Sequence, residues 1–299
     1  MSVACTPPDL PQRLQLSVPE AALQLLEPDT VRAHALHPGV VYRYLWSPRG
    51  PWAVHAVQIR LAERCDVGLR VLRPEPREAG GAGRARVSEM ASGEGVRVLA
   101  AVNADFFTPE GNPVGVEIVD DRVTSRAPRP TFAWRRGAEP WMGSASLEAD
   151  GVRLGWLVTA ADSWDGASPN PGTQAVGGFP DLIDAGRRVG DLEVEARPSF
   201  AAARHPRTAV AWDRDSGELW LVVVDGRRAP YSVGMTLPEL ARLFESLGAE
   251  EALNLDGGGS TTLVLPFGTA NRPSDATGER PVVNALAAVR TPDSCRLRR

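Results

Sequence analysis

The most constraining feature of the sequence is a strand–helix–strand unit at residues 219–256. It begins with the apolar strand LWLVVVD, which ends at Asp225. The sequence TLPE at 236–239 is a capping box with an early proline, which predicts the start of a helix. Apolar residues then recur on one helical face, and a second apolar strand follows at residues 252–255. The rules for such crossovers predict two parallel strands joined by a right-handed connection.

Parallel strands bring their carboxyl ends to one edge of a sheet, where open α/β sheets bind ligands. Asp225 and Asp256 each follow one of the two strands, so we expect them at this edge. The strand TAVAW is joined to ELWLVVVD by the polar turn DRDSG, which predicts an antiparallel pair. Arg207, which precedes TAVAW, is therefore expected at the same edge.

A third strand is predicted by the near-continuous apolar run at residues 96–102, which is typical of a strand buried on both faces. It is followed by Asn103 and Asp105. If this strand runs parallel with the other two, both residues join the same edge, and Arg227 adds a second cation there. The predicted pocket thus combines carboxylates, an amide and arginines.

The stretch NLDGGGSTT at residues 254–262 allows two interpretations. Glycine-rich segments commonly form plain turns between strands. Three successive glycines also permit a close backbone approach, and their amides can form an anion-binding concavity. The candidate substrate-binding groups of this stretch are Asn254, Gly257, Gly258, Gly259, Ser260 and Thr261.

Composition excludes several classes of function. The chain has 299 residues, of which 43% are hydrophobic, and its net charge of −4 argues against a nucleic-acid partner. It contains no lysine, which excludes a lysine Schiff base and a P-loop. No apolar run approaches the length of a transmembrane segment. Its three cysteines, Cys5, Cys65 and Cys295, are too few for a zinc cage or a disulfide framework, although one bridge is left open.

Several segments together resemble the phosphodiester glycosidase family. The resemblance spans roughly residues 39–290, and the segment at 232–264, which contains LDGGGSTT, is its most specific part. The matching segments are NADFF at 103–107, PVGVEI at 113–118, RHPRTAVAW at 204–212, VVVDGR at 222–227, SVGMTLPELARLFESLGAEEALNLDGGGSTTLV at 232–264, and NRPSD with RPVVNALAAV near the end.

The resemblance implies an α+β fold with a mixed, largely antiparallel twisted sheet and flanking helices. We expect an N-terminal tail or packing arm at residues 1–38, a single glycosidase-like domain at 39–292 and a C-terminal tail at 293–299. The opening SVAC is similar to the end of a lipoprotein signal, which predicts Cys5 as a lipidation site in a longer precursor and an exported or envelope-associated protein.

The resemblance also implies hydrolysis of a sugar 1-phosphodiester at its glycosidic bond, with a carbohydrate phosphate as the substrate. The leaving phosphate monoester is already acidic and needs little protonation, so anion stabilisation becomes the main requirement. Arg207 and Arg227 are expected to bind the phosphate, aided by the glycine amides. The candidate catalytic carboxylates are Asp256, Asp105 and Asp225.

Two alternatives stay open at this point. The first is a binding module for envelope glycans that lacks catalysis. The second is a metal-dependent phosphodiesterase that uses the aspartates as ligands, which is less favoured because no histidine accompanies them. No cofactor is predicted, a divalent metal is left open, and the sequence makes no prediction of the oligomeric state.

Overall fold

The computed structural model describes residues 18–61, 66–74, 83–93, 97–135, 138–148, 151–155, 157–160, 172–190, 192 and 198–291. Cys5, Cys65 and Cys295 lie outside these residues. So do most of the polar loop at 162–174, which the sequence predicts to lie over a site, and the C-terminal tail. In the described ranges, no helix is both long enough and apolar enough to cross a membrane.

The described residues form four α-helices and many short strands. The helices are α1 (Glu20–Leu26), α2 (Val87–Ala91), α3 (Pro198–Ala201) and α4 (Leu237–Ser246). The strands are β1 (Thr30–His37), β2 (Val40–Ser47), β3 (Trp52–Arg60), β4 (Val67–Leu72), β5 (Arg97–Asn103), β6 (Glu117–Val119), β7 (Arg122–Ser125), β8 (Pro130–Trp134), β9 (Trp141–Ser144), β10 (Ser146–Glu148), β11 (Gly151–Leu154), β12 (Leu157–Ala160), β13 (Gln174–Gly177), β14 (Asp181–Asp184), β15 (Arg187–Arg188), β16 (Arg207–Asp213), β17 (Glu218–Val224), β18 (Glu251–Asn254), β19 (Leu263–Leu265), β20 (Gly268–Thr269) and β21 (Ala285–Arg290).

These strands form four sheets. The largest has the order β1-β2-β3-β17-β16-β18-β14-β15. Two five-stranded sheets have the orders β20-β19-β5-β21-β4 and β7-β6-β13-β8-β9, and a three-stranded sheet has the order β10-β11-β12. Among the described strands, every two that are neighbours in a sheet run antiparallel to each other. The fold is thus rich in antiparallel sheet, as predicted. The predicted α+β class, with one mixed sheet and flanking helices, fits it only loosely.

The strand–helix–strand unit of β17, α4 and β18 is present. Both strands pair antiparallel with β16, which lies between them, so they run in the same direction as predicted without being neighbours. Thr236 caps α4 by accepting a hydrogen bond from the Glu239 amide at 3.1 Å, and Glu239 accepts one from the Thr236 amide at 2.9 Å. The capping box therefore fixes the helix start that the sequence predicts.

The central strands β16 and β17 of the eight-stranded sheet are buried on both faces. Successive side chains of a strand point to opposite sides, so each strand contributes to two cores. On β17, Leu219, Leu221 and Val223 enter one core cluster, whereas the alternate residues of this strand enter another. The first core lies between this sheet and the sheet that contains β5. The second is covered by α1 and α4, whose buried residues belong to the same cluster. This double burial explains the continuous apolar runs of the sequence.

The prediction for the strand at residues 96–102 needs correction. It forms β5, which belongs to a different sheet from β17 and β18 and pairs antiparallel with β19 and β21. The return strand after the glycines, β19, pairs with β5 and not with β18. Strand β1, from the predicted tail or packing arm, pairs with β2 at the edge of the eight-stranded sheet. The pairings of β5 with β19 and β21 are made between distant segments, and local sequence patterns do not specify them.

Candidate active site

The glycine stretch crosses from the eight-stranded sheet to the sheet of β5 and β19. The Asp256 amide donates to the Ala104 carbonyl at 2.8 Å, and the Gly258 amide donates to the Pro206 carbonyl at 2.8 Å. A β-carbon at Gly257 would lie 2.8 Å from the same Pro206 oxygen, and Gly258 has a φ of 63°. These glycines therefore serve a close approach between backbone segments and a left-handed turn.

Several backbone amides of this stretch are bonded within the protein. Residues Gly258–Ser260 form a short 3-10 turn. Within it, the amides of Ser260 and Thr261 donate to the carbonyls of Gly257 and Gly258, both at 3.3 Å. The Gly258 amide, one of the three glycine amides predicted to bind an anion, is also bonded to backbone. The anion-binding role of the stretch stays a prediction.

Asn103 joins the two sheets at this point. Its side-chain amide donates to the Asp256 carbonyl at 2.6 Å, and its Oδ1 accepts from Thr208 Oγ1 at 2.8 Å and from the Thr262 amide at 3.1 Å. It was predicted to bind substrate. Because both ends of its buried side chain bind protein groups, Asn103 instead fixes the backbone that carries Asp256.

Asp105 follows β5 and is 1% exposed. Its Oδ2 accepts a hydrogen bond from the Gly115 amide at 2.8 Å, while its Oδ1 is buried without a hydrogen-bond partner among the residues described. Burial raises the pKa of Asp105 to about 7, and the negative charge of Glu117 raises it further against the Gly115 hydrogen bond. A carboxyl group of this kind exchanges its proton near neutral pH.

Asp256 is the second carboxyl group of the site. Burial raises its pKa to about 6, although the Ser260 hydroxyl, the Gly257 amide and the charge of Arg280 each lower it. The two aspartates thus follow strands of different sheets, and the bond between the Asp256 amide and the Ala104 carbonyl brings these strand ends together. Carboxyl groups with raised and unequal pKa values are typical of acid–base sites.

We expect Asp105 to make the free energy of unfolding depend on pH. Its folded pKa of about 7 exceeds the ordinary aspartate pKa of 3.8, so the native state binds this proton more tightly than the unfolded chain does. Stability therefore falls as the pH rises from about 4 to about 7, by on the order of 4 kcal/mol from this group. Urea unfolding at several pH values across this range should show a smaller fall in the free energy of unfolding for Asp105→Asn than for the wild type. The exposed control Asp215→Asn should keep the wild-type slope, and equal slopes in all three proteins would contradict the assignment.

Arg207 is surrounded by backbone carbonyl groups of the protein. Its guanidinium is buried, with Nε donating to the Met235 carbonyl at 2.8 Å and Nη2 donating to the carbonyls of Phe200 and Ala203 at 2.9 and 2.8 Å. The guanidinium also lies 5.0 Å from the centre of the Phe200 ring. Arg207 thus anchors the segment of α3 beside the site, and its contact with phosphate stays a prediction.

Arg227 lies at the surface beside the glycine turn. A β-carbon on Gly258 would lie 3.1 Å from its Nη2, and this nitrogen donates to His205 Nδ1 at 3.2 Å. Burial and the positive charges of Arg207 and Arg227 lower the pKa of His205, which favours its neutral, accepting form. In the described part of the chain no carboxylate pairs with Arg227, so its charge is available to an anion at the turn.

Asp225 is fully buried at the end of β17 and accepts four hydrogen bonds. Its Oδ2 accepts from His55 Nε2 at 3.2 Å and from the Tyr231 hydroxyl at 3.0 Å, and its Oδ1 accepts from Asn271 Nδ2 at 3.1 Å and the Arg272 amide at 2.9 Å. Since each oxygen already has two donors, Asp225 joins four segments of the chain. This arrangement favours a structural role, and the catalytic role of Asp225 stays a prediction.

Buried polar atoms without a partner collect at the site. Within the described ranges, Asn254 Oδ1, Thr261 Oγ1 and Thr262 Oγ1 share this property with Asp105 Oδ1. Asn254 also donates to the Phe179 carbonyl at 2.7 Å, which fixes the direction of its free oxygen. Nearly all buried polar groups in proteins are hydrogen-bonded, and the exceptions point to a bound ligand or water.

The sequence profile of the family described as "Phosphodiester glycosidase" matches residues 97–289, from β5 to β21. The chain belongs to the phosphodiester glycosidase family. The resemblance identified from the sequence is thereby confirmed. All of the predicted site residues lie within the part of the chain that matches this family.

Individual relatives agree with this assignment. N-acetylglucosamine-1-phosphodiester alpha-N-acetylglucosaminidase of Bos taurus is 30% identical over 279 residues, which cover 83% of this chain and 49% of the relative. The protein of the same name from Mus musculus is 31% identical over 218 residues, covering 67% of this chain and 38% of the relative. The chain therefore spans less than half the length of these curated relatives.

A solved structure shares the fold. It is the zebrafish N-acetylglucosamine-1-phosphodiester alpha-N-acetylglucosaminidase catalytic domain, auto-inhibited by its pro-peptide. The TM-score is 0.60 at 23% identity, and the match covers 86% of this chain and 82% of the zebrafish chain. This member of the phosphodiester glycosidase family thus supports the sheet-rich architecture described above.

Sequence reasoning missed several groups of this phosphodiester glycosidase site. Arg129 lies 5.7 Å from the centre of the Phe179 ring, and its charge lowers the pKa of Asp105. His55 is the one polar residue within the apolar run WAVHAV, and this isolated position was the available signal that it is buried and hydrogen-bonded. Asn284 interrupts the apolar run VVNALAAV in the same way.

In the described residues, no three His, Cys, Asp or Glu side chains lie close enough together to hold a metal ion.

Proposed function

We propose that the chain is a hydrolase that cleaves the glycosidic bond of a sugar 1-phosphodiester, resembling GlcNAc 1-phosphate, in a glycan or glycolipid of a bacterial envelope. The names of the curated relatives support the linkage and the sugar. Membership of the phosphodiester glycosidase family supports the reaction class. Support from this chain itself comes from the arrangement of its carboxyl groups.

The observation that carries the proposal is the junction between Asp105 and Asp256. The Asp256 amide bonds to the Ala104 carbonyl at 2.8 Å, and Asn103 holds the Asp256 carbonyl at 2.6 Å. Two carboxyl groups with raised pKa values therefore follow strand ends that are bonded to each other. Glycoside hydrolases commonly use such a pair on either side of the bond that is broken.

Their different surroundings suggest a division of roles: Ser260, Gly257 and Arg280 favour the ionised form of Asp256, whereas Asp105 faces the charge of Glu117 and has a free Oδ1. At neutral pH Asp256 is mostly ionised, since its pKa is about 6, and its charge stabilises the positive charge that develops at the anomeric carbon. Asp105, whose pKa is about 7, retains a proton more readily and donates a hydrogen bond to the leaving phosphate oxygen. An ionised Asp105 would instead repel that phosphate. Water supplies the hydroxyl group at C1, and the phosphate monoester leaves with the glycosidic oxygen.

Cations on two sides of the site suit the phosphate. Arg227 lies against Gly258, and Arg129 lies over Phe179 close enough to Asp105 to lower its pKa. Guanidinium groups bind phosphate oxygens in a bidentate manner. The free buried oxygen atoms of Asn254 and Thr261 are available to the hydroxyl groups of the sugar. These four residues form the proposed substrate-binding set.

Product analysis with an alkyl diester of α-GlcNAc 1-phosphate tests this function. Cleavage in H₂¹⁸O should place the heavy oxygen on C1 of free GlcNAc and release an alkyl phosphate without label. Labelled phosphate together with cleavage between phosphorus and oxygen, abolished by EDTA, would support the metal-dependent phosphodiesterase instead. Tight binding of the diester without turnover would favour the glycan-binding module.

A further inference from the structure

A second buried carboxylate lies behind Asp105. Glu117, on β6, is fully buried, and its Oε2 accepts a hydrogen bond from Asn284 Nδ2 at 2.6 Å. Asn284 Oδ1 in turn accepts from the Asp105 amide at 2.9 Å. Asn284 is itself fully buried, so a chain of two hydrogen bonds without solvent links Glu117 to the backbone of Asp105. The reaction proposed above does not use Glu117 directly.

The direction of this chain is set by Glu117. Its Oε1 accepts from Thr124 Oγ1 at 2.5 Å and lies 3.2 Å from Arg73 Nε, so donors surround it on several sides. An ionised carboxylate only accepts hydrogen bonds. Asn284 must therefore present its NH₂ group to Glu117 and its oxygen to the Asp105 amide. Glu117 and the Asp105 amide, which can only donate, thus require the same orientation of the Asn284 side chain.

Close packing of two glycines also holds the backbone around Asp105 in place. A β-carbon on Gly177 would lie 2.5 Å from the Gly115 α-carbon and 3.0 Å from Asp105 Oδ2. The two glycines let their strands approach so that the Gly115 amide reaches Oδ2. With its own amide bound to Asn284 and its Oδ2 bound to Gly115, Asp105 keeps Oδ1 free. Oδ1 is the atom that the proposed reaction requires.

The charges that face Asp105 come from two neighbours. Glu117 raises the pKa of Asp105, and Arg129 lowers it, although burial has the largest effect. Arg73 lies on the far side of Glu117 and is partly exposed. A fixed negative charge close to a buried carboxyl group favours its protonated form. Glu117 therefore combines a geometric effect with an electrostatic one.

We propose that Glu117 is a positioning residue, which fixes the Asp105 carboxyl group through Asn284 and faces it with a buried negative charge. This inference rests on the proposed function only for its effect on turnover. Its effect on Asp105 itself holds whatever the substrate is. The two parts can therefore be measured separately.

The first measurement is the titration of Asp105 by ¹³C NMR of protein labelled at the aspartate carboxyl carbons, with Asp105→Asn used to assign the signal. Glu117→Gln should move the midpoint for Asp105 to lower pH, by about half a unit or more. Arg73→Gln, which removes the opposing charge from a partly exposed position, should move it to higher pH. Glu218→Gln, which breaks a comparable pair with Arg60 on the eight-stranded sheet, should leave it unchanged.

An Asp105 midpoint that is the same in Glu117→Gln and in the wild type would overturn the inference. If Glu117→Gln does not fold, Arg73→Gln decides the question alone, and an unchanged midpoint there would also overturn it. The second measurement is the rate of GlcNAc release. With Glu117→Gln, kcat at pH 7 should fall by about 100-fold with KM little changed, since a displaced catalytic group costs about that factor. If the wild type releases no GlcNAc, the proposed function fails while the NMR result still stands.

Discussion

Asp256→Asn is expected to reduce the release of GlcNAc from a sugar 1-phosphodiester by about 1000-fold or more, because a neutral amide cannot stabilise positive charge at the anomeric carbon or activate water. The substitution preserves the shape of the side chain. It also removes a carboxyl group whose pKa burial raises to about 6, so the protein should be at least as stable at pH 7 as the wild type. Activity is measured as the initial rate of sugar release, and stability by urea unfolding.

Asp215→Asn provides the matched control for this change. Asp215 is exposed in the turn that joins β16 to β17, at the opposite end of these strands from Arg207. It therefore lies about 20 Å from the site, given the rise per residue of a strand. Its replacement should leave both activity and stability at the wild-type level. Full activity of Asp256→Asn would remove Asp256 from the mechanism.

Asp225→Ala is expected to lower the free energy of unfolding by about 4 kcal/mol or more. The change leaves four donors, which come from His55, Tyr231, Asn271 and Arg272, without their buried acceptor. Each unsatisfied buried group costs about 1 to 3 kcal/mol, and the costs are not fully additive. Urea unfolding followed by circular dichroism measures the loss.

Tyr231→Phe is the control for Asp225→Ala, since it removes one donor and keeps the acceptor. It should cost about 1 kcal/mol. Asp225→Asn distinguishes the structural role from the catalytic one predicted by the sequence. If this variant were as stable as the wild type but inactive, the result would support a direct catalytic role of Asp225.

The position of several site residues could be predicted because the signals were local. The capping box at Thr236 and the apolar face after it identify α4, and α4 implies that β17 and β18 run in the same direction. Asp225, Asp256 and Arg207 then follow at one edge. The alternation of side chains along a strand also predicts correctly that the apolar runs are buried.

The roles of these residues were harder to predict, because their hydrogen-bond partners are decided by how the chain folds around them. Arg207 binds the carbonyls of Phe200, Ala203 and Met235, and Asn103 binds groups of Thr208 and Thr262. An arginine that binds backbone carbonyls has the same local sequence as one that binds phosphate. Only the partner atoms distinguish the two roles.

The sequence by itself determined the family and the strand–helix–strand unit, and it predicted a site around the stretch NLDGGGSTT, because each depends on contiguous residues. Only the tertiary structure decided that β5 belongs to a separate antiparallel sheet and that its end is bonded to the glycine stretch. It also decided that Glu117 lies behind Asp105 and that Asp225 is saturated with hydrogen bonds. Burial and charge at a carboxyl group depend on what packs around it, and this packing is created only when distant strands come together.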